Sequence, residues 1–267
     1  MKFTTKLCLA WLGLVVIAAL IGPLLLPLDG PDTSPGGLLA PAGGDHLLGT
    51  DEEGRDVLQL LVAGARTALI VGLATVIISG LVGTFLGTAA GYLGGIVDRI
   101  VMTMTEAVYS FPGILLAIFL MFLMPEPGVG HIVVALCIGG WATYARLARG
   151  IAMSLRERPF IEAARCIGLP NRTIMFRHVM PQTIPHIAIQ ASFGIANAIM
   201  AEATLSFLGL GIADGTSWGH MLSSGAVLYL SSPHLALAPG LILALTILVV
   251  LRLADNTQQY LNPKASN

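Results

Sequence analysis

Residues 160–185 read FIEAARCIGLPNRTIMFRHVMPQTIP. The stretch carries Arg165, Arg172, Arg177 and His178, one glycine and three prolines, and apolar runs of membrane-spanning length flank it on both sides. Its charges alone mark a loop retained on the cytoplasmic side of a bilayer. The other residues describe more than a loop. Pro159 opens a helix at its first turn, Ile161 to Ile167 continue it, Gly168 suits the left-handed position that ends it, and Pro170 forbids continuation. Asn171 caps a second helix. There Met175, Phe176, Val179 and Met180 fall on one apolar face, and Pro181 and Pro185 end it. The pattern predicts a short helix-turn-helix with an apolar face open to the cytosol, which needs a partner.

Outward from this segment, the charges are segregated. Only 11% of the 267 residues are charged, against about 25% for a soluble domain. Six long runs are nearly free of Asp, Glu, Lys and Arg. A helix needs about 20 apolar residues to cross the hydrocarbon, so the runs predict six spans, at 8–28, 67–91, 101–124, 130–150, 186–210 and 233–253. With the N-terminus inside, only Arg55 and Arg66 of the 14 Lys and Arg fall outside. Both termini are therefore expected in the cytoplasm. The first run follows Lys2 and Lys6 but is too long for an ordinary signal peptide, and it reads as an uncleaved span. Cys8, Cys137 and Cys166 have no CxxC spacing, so neither a disulfide nor a zinc site is indicated.

Between spans 1 and 2, Asp29 to Asp56 is rich in Gly, Pro and Asp and reads as an external loop. Thr50 and Glu53 fit a capping box, after which residues 56–69 read as a helix lying along the membrane before turning inward. Ser79, Gly83, Gly87 and Gly91 recur every four residues, a spacing that lets two helix backbones approach in lipid. The partner is a helix of this chain or of a second subunit. Glu106 and Glu202 fall inside spans, where an unpaired carboxylate is costly. Each reads as lining or gating a path, or as a buried carboxyl bonded to a neighbouring helix. The structural alternative is favoured for Glu106, which lies nearer the cytoplasmic end of its span.

The three lysines, Lys2, Lys6 and Lys264, follow no Gly-rich loop, so the phosphate cradle of a P-loop ATPase is excluded from this chain. No cluster of polar residues has a catalytic spacing, and the histidines are scattered. His131 and His220 are available on the outer side. Transport remains, as a proton-coupled secondary carrier with its own carboxylates or as a path driven by another chain.

The residues now carry a resemblance. Glu162-Ala163-Ala164, then Gly168, then a helix ending His178-Val179-Met180-Pro181 resembles the EAA loop of ABC-importer permeases. Met180-Pro181-Gln182 stands where that family usually reads Leu-Pro-Asn. His46-Leu47-Leu48-Gly49-Thr50-Asp51, with Gly54-Arg55-Asp56, resembles the H-x-LGTD-x-x-GRD signature of the dipeptide/oligopeptide/nickel permeases. Tyr144-Ala145-Arg146 resembles their Y-AR element. Glu202-Ala203 with Leu205 to Gly211, followed by Ser217-Trp218-Gly219, resembles their EA-x-LSFLGLG…WG element. The matches run from about residue 46 to 262. Gln59-Leu60 and Ala254-Asp255 depart from the family's Ser-Arg and Gly-Asp.

The resemblance implies an all-α polytopic membrane protein of the bacterial inner membrane. It would have six transmembrane helices, the type I ABC importer permease fold and a cytoplasmic EAA-type coupling helix-turn-helix. Its regions would be an N-terminal helix and external loop (1–62), the permease domain (63–256) and a cytoplasmic tail (257–267). The implied partners are a second homologous permease, two ATP-binding subunits, an extracytoplasmic solute-binding protein and membrane lipid, with no nucleic acid. No cofactor, metal or catalytic residue is implied in this chain, and ATP hydrolysis belongs to the separate subunits. Glu162, Ala163, Ala164, Gly168, Arg172, Met175, Phe176, His178 and Pro181 would couple to the ATPase. Glu202, Glu106, His131 and Trp218 are the candidates for the translocation path or its gate. The implied substrate is a di- or oligopeptide, with nickel or a metal chelate, or an opine-type solute, as the alternative.

Overall fold

The computed structural model describes residues 3–26, 37–44, 46–124, 128–212 and 216–261. Lys2, Lys264, parts of the loop at 29–56 and the end of the tail lie outside them. All regular elements among the described residues are helical. Helix α1 (Phe3–Leu25) and α2 (Val57–Leu93) are followed by α3 (Gly95–Tyr109), α4 (Gly113–Phe122) and α5 (Val129–Arg156). Then come α6 (Pro159–Cys166), α7 (Asn171–Ile174), a π-helical turn (Met175–Val179), α8 (Met180–Phe207), α9 (Trp218–Val227) and α10 (His234–Leu261).

Two stripes along α2 organise the bundle. Ile70, Leu73, Ile77, Leu81 and Phe85 recur on its outer face and are exposed, as lipid requires. Ser79, Gly83, Gly87 and Gly91 are buried on the opposite face, against α5. The choice left open by the sequence is thus decided, since the partner helix belongs to the same chain. A Cβ at Gly87 would strike the carbonyl of Ala145, one at Gly91 the carbonyl of Arg149, and one at Gly83 the carbonyl of Trp141. Only hydrogen at those Cα atoms allows the two backbones to meet. Further pairing follows the bundle around: Trp11 Nε1 of α1 donates to Thr246 Oγ1 of α10 at 3.2 Å, and Asn256 Nδ2 donates to Thr5 Oγ1.

Among the described residues, five helices are long and apolar enough to cross a membrane, and a sixth crossing exists only if α3 and α4 count together. The expected continuous span at 101–124 is instead a bent pair, turning by 82°. Pro112 explains the break, because it lacks an N–H and its ring clashes with the carbonyl four residues back. Ser110 Oγ donates to the Glu106 carbonyl at the end of α3.

The start of α2 corrects two expectations. No approach helix turns inward near residue 67; α2 runs unbroken for 37 residues, about 55 Å at 1.5 Å per residue. The regional boundary drawn between residues 62 and 63 lies within it. Thr50 and Glu53 do not cap it either. The N-cap is Asp56, whose Oδ1 accepts from the backbone N–H groups of Leu58 and Gln59 at 2.8 and 3.2 Å. Gly54, with φ of +77°, turns the chain between the two motifs. Thr50 Oγ1 serves the loop, accepting from Ala40 N and donating to the Gly37 carbonyl. Asp51 Oδ1 accepts from the N–H groups of Glu53 and Arg55, and His46 Nδ1 pairs with Asp56 Oδ2 at 2.8 Å. The H-x-LGTD-x-x-GRD residues are therefore a self-bonded knot that starts α2.

Candidate functional site

Three arrangements bear on function: a projecting tip, a pinned loop and a polar cavity. The tip is residues 160–170. Gly168 takes φ of +82°. Leu169 N donates to the Ala164 carbonyl and Gly168 N to the Arg165 carbonyl, the paired bonds of a Schellman ending. The glycine is needed because a side chain in that conformation is strained. The turn leaves Ile167 pointing outward, 76% exposed. Glu162, Ala163, Gly168 and Arg172 are exposed around it.

Below the tip, the apolar face predicted to stand open is closed. Met175 and Val179 are buried with Ile161, Ala164 and Ile174 against Tyr92 of α2 and Ala152 of α5. Only Phe176 remains substantially exposed, its ring 6.1 Å from that of Phe85. Met175 therefore roots the segment and presents no surface. Asn171 does not cap α7, whose N-cap is Pro170; its Oδ1 accepts from the Tyr92 hydroxyl at 3.1 Å. The prolines do not end the helix as expected. Pro181 occupies the first turn of α8 and Pro185 its interior, and residues 171–207 form one candidate span. The π turn at Met175–Val179 absorbs the irregularity. Gln182 Nε2 donates to the carbonyl of His178, which is half-buried. A rigid root, an exposed apolar point and a continuous helical lever thus lie in one segment.

The second arrangement gathers Glu202 and Trp218. Glu202 is 2% exposed. Its Oε1 accepts from Ser206 Oγ and Ser217 Oγ, both at 2.7 Å. Thr67 Oγ1 donates to the Thr216 carbonyl at 2.8 Å, and Trp218 Nε1 donates to the Leu61 carbonyl at 2.9 Å. Gly64 makes room for that indole. Gly209, at φ of +77°, ends α8 with the same paired bonds seen at Gly168. The EA-x-LSFLGLG…WG residues therefore clamp the α8–α9 connection onto α2. Of the two alternatives for Glu202, the geometry is that of the buried, bonded carboxyl. Glu106 is the reverse, exposed on α3 where a bonded carboxyl was favoured. His131 is exposed and its Nδ1 accepts from Gly128 N at the start of α5.

Replacing Glu202 by alanine is expected to destabilise the chain by about 3 kcal/mol, since two buried hydroxyls lose their common acceptor. Residues 208–212 and 216–218 should then exchange amide hydrogens faster. Glu106→Gln should change neither quantity, and equal small effects from both would refute the clamp.

The third arrangement was not singled out from the sequence. A cavity of about 250 Å3 opens between α2, α5 and α8, with Gly113 of α4 at its edge. Its polar walls are Thr75, Ser79, Thr143, Tyr144, Gln190 and Asn197. Neither Glu202 nor Trp218 is among them. A signal was present: Gln190, Gly194 and Asn197 fall at i, i+4 and i+7, on one helix face. Where the start of α3 meets the end of α5, Arg149 Nη2 donates to Asp98 Oδ2 at 2.7 Å, with a second bond from Nε to Oδ1.

Comparison with known proteins adds the following. Residues 83–267 match the family described as binding-protein-dependent transport system inner membrane component. The chain is 38% identical to the glutathione transport system permease protein GsiD of Pectobacterium atrosepticum, over 82% of its own length and 73% of that protein's. It is 38% identical to the dipeptide transport system permease protein DppC of Bacillus subtilis, over 97% of its length and 82% of the relative's. With the oligopeptide permease OppC of Haemophilus influenzae it shares 35%, over 95% and 82%. Its fold is similar to chains in the inward-facing MetNI methionine ABC transporter, with a TM-score of 0.54 and 20% identity over 76% of this chain and 96% of that one. An amino acid ABC transporter with histidines gives 0.56 at 18% identity, over 75% and 94%.

Proposed function

This chain belongs to the family of binding-protein-dependent transport system inner membrane components, and from that premise we propose the substrate, partners and orientation of its transport complex. The chain is a multi-pass membrane permease subunit of an ABC importer. Its substrate is a di- or oligopeptide, as the names of the relatives indicate for those proteins. It forms the path with a second homologous permease. Two separate ATP-binding subunits drive the pair, and an external solute-binding protein delivers the peptide. Both termini face the cytoplasm, the arrangement favoured by the skew of Lys and Arg.

The observation that carries the mechanism is the 160–182 segment: an exposed tip rooted in α2 and α5 and continuous with α8. Ile167, Glu162, Ala163 and Arg172 meet the ATPase, while Gly168 sets the turn and Ala164 and Met175 hold its base. Closure of the ATPases pushes the tip. The push passes along residues 171–207 into α8, which walls the cavity with Gln190, Gly194 and Asn197. The π turn is where that lever flexes. Phe176, His178 and Pro181 lie on the lever's near end. Glu106, exposed on α3, lines the path or its gate.

The test begins with a tagged chain purified from membranes in mild detergent. A second permease and two ATPases should accompany it. Reconstituted with the binding protein, the complex should accumulate a labelled dipeptide only with ATP inside the vesicles, and a protonophore should leave uptake intact. Uptake that collapses with the protonophore, or purification without any ATPase, would identify a secondary carrier instead.

A further inference from the structure

We propose that the cavity between α2, α5 and α8 is a hydrogen-bonding subsite for the uncharged amide backbone of the passing peptide. The proposal rests on the reading of the chain as a peptide permease and specifies what part of the peptide this chain contacts. Thr75 and Tyr144 are only 6% and 4% exposed, and neither hydroxyl has a hydrogen-bond partner. Buried hydroxyls are nearly always paired, because leaving one unpaired forfeits its hydration for nothing. Here three such groups, those of Thr75, Ser79 and Tyr144, belong to one cavity wall. Gly194 stands opposite Tyr144, and any side chain at 194 would collide with the phenol oxygen. In this conformation that oxygen is buried against Gly194 and unsatisfied.

The remaining walls define the ligand. Gln190 and Asn197 each bring a carboxamide, a donor and an acceptor together. No Asp, Glu, Lys, Arg or His lines the cavity. A charged terminus or side chain placed there would lose its hydration without a counter-charge. A peptide N–H or C=O would instead find hydroxyls and carboxamides of matching polarity. The cavity of about 250 Å3 has room for a backbone unit of the peptide. The hydroxyls of Thr75 and Tyr144 are buried in the conformation described, and a shift of α8 would uncover them to the peptide. Such a subsite reads what all peptides share, and leaves discrimination among them to other parts of the complex. Because Gly194 and Asn197 are on α8, the helix continuous with the coupling tip, movement of α8 would open and close the subsite.

The test uses the assembled complex in lipid nanodiscs without the binding protein. One probe is labelled trialanine, measured by equilibrium dialysis; the other is N-acetylalanine methylamide, which carries two amides and no charge. Trialanine should bind and the diamide should compete for it. Tyr144→Phe and Thr75→Val should each weaken both ligands about 2- to 10-fold, the effect of one lost neutral hydrogen bond. The melting temperature without ligand should stay the same or rise, since the deleted hydroxyls had no protein partner. Wild-type binding in both variants would overturn the proposal. So would failure of the diamide to compete, or a fall in melting temperature that tracks the weaker binding. Uptake of trialanine by the complete wild-type complex separates the two levels. If uptake is ATP-driven but both variants bind normally, the subsite fails and the importer reading stands. If the wild-type complex neither binds nor imports peptide, both fail.

Discussion

Gly87→Val is expected to destabilise the chain by about 3 kcal/mol. The reason is geometric. At Gly87 the nearest atoms to an added Cβ are the O, C and Cα of Ala145, all backbone. A side chain obstructing the substitution would turn aside, but a helix backbone moves only as a whole. Separating α2 from α5 would also open contacts at Gly83, Gly91 and Ala152 along the same face. For a chain of this size, each kcal/mol moves the midpoint by roughly 2–4 °C, so the variant should melt about 6–12 °C lower in detergent. Gly150→Val supplies the control. Gly150 also lies in α5, yet nothing stands within 4 Å of its added Cβ. There the substitution changes only helix propensity, by well under 1 kcal/mol and in favour of valine. Equal midpoints for the two variants would refute the close contact of α2 and α5.

Gly168→Pro is expected to uncouple ATP hydrolysis from uptake while the chain still inserts and assembles. Proline holds φ near −65°, whereas this position requires +82°. It also removes the N–H that donates to the Arg165 carbonyl. The tip must refold, and Ile167 loses its outward direction. The root need not follow, because Ile161, Ala164, Ile174, Met175 and Val179 are packed on α2 and α5 independently of residue 168. Allosteric couplings of this kind are worth about 5- to 150-fold, which sets the expected drop in uptake per ATP hydrolysed. Glu162→Lys should act in the same direction by reversing an exposed charge beside the tip. The measurement is labelled-peptide uptake against phosphate release in proteoliposomes, with the melting temperature as a check on assembly. Normal uptake by Gly168→Pro would remove the coupling role from this turn.

Much of this was legible before the structure. Gly168 and Pro159 announced a helix-turn-helix because their backbone requirements are local, and the left-handed turn at residue 168 meets that expectation. The four-residue glycine spacing on α2 announced a close helix contact for the same kind of reason. Local chemistry misled where it competed with tertiary demand. Thr50 and Glu53 have the spacing of a capping box, but the Gly54 turn assigns the cap to Asp56. Pro181 and Pro185 are helix breakers in isolation, yet the π turn and the surrounding bundle carry the helix through them. Met175 belongs to an apolar face that the sequence left unpartnered, and Tyr92 and Ala152, distant in sequence, cover it.

The sequence by itself determined that the chain is a helical membrane protein, which family it belongs to, and where it turns. Those properties follow from hydropathy over about 20 residues, from motif spacing and from the backbone limits of glycine and proline. Only the tertiary structure decided that Glu202 and Trp218 clamp a loop, that α5 is the partner of the glycine face, and that Thr75, Tyr144, Gln190 and Asn197 share one cavity. Each of these depends on residues far apart in the chain. A buried polar group has a meaning only once its neighbours are known, because the same carboxylate or hydroxyl is structural when satisfied and open to a ligand when not.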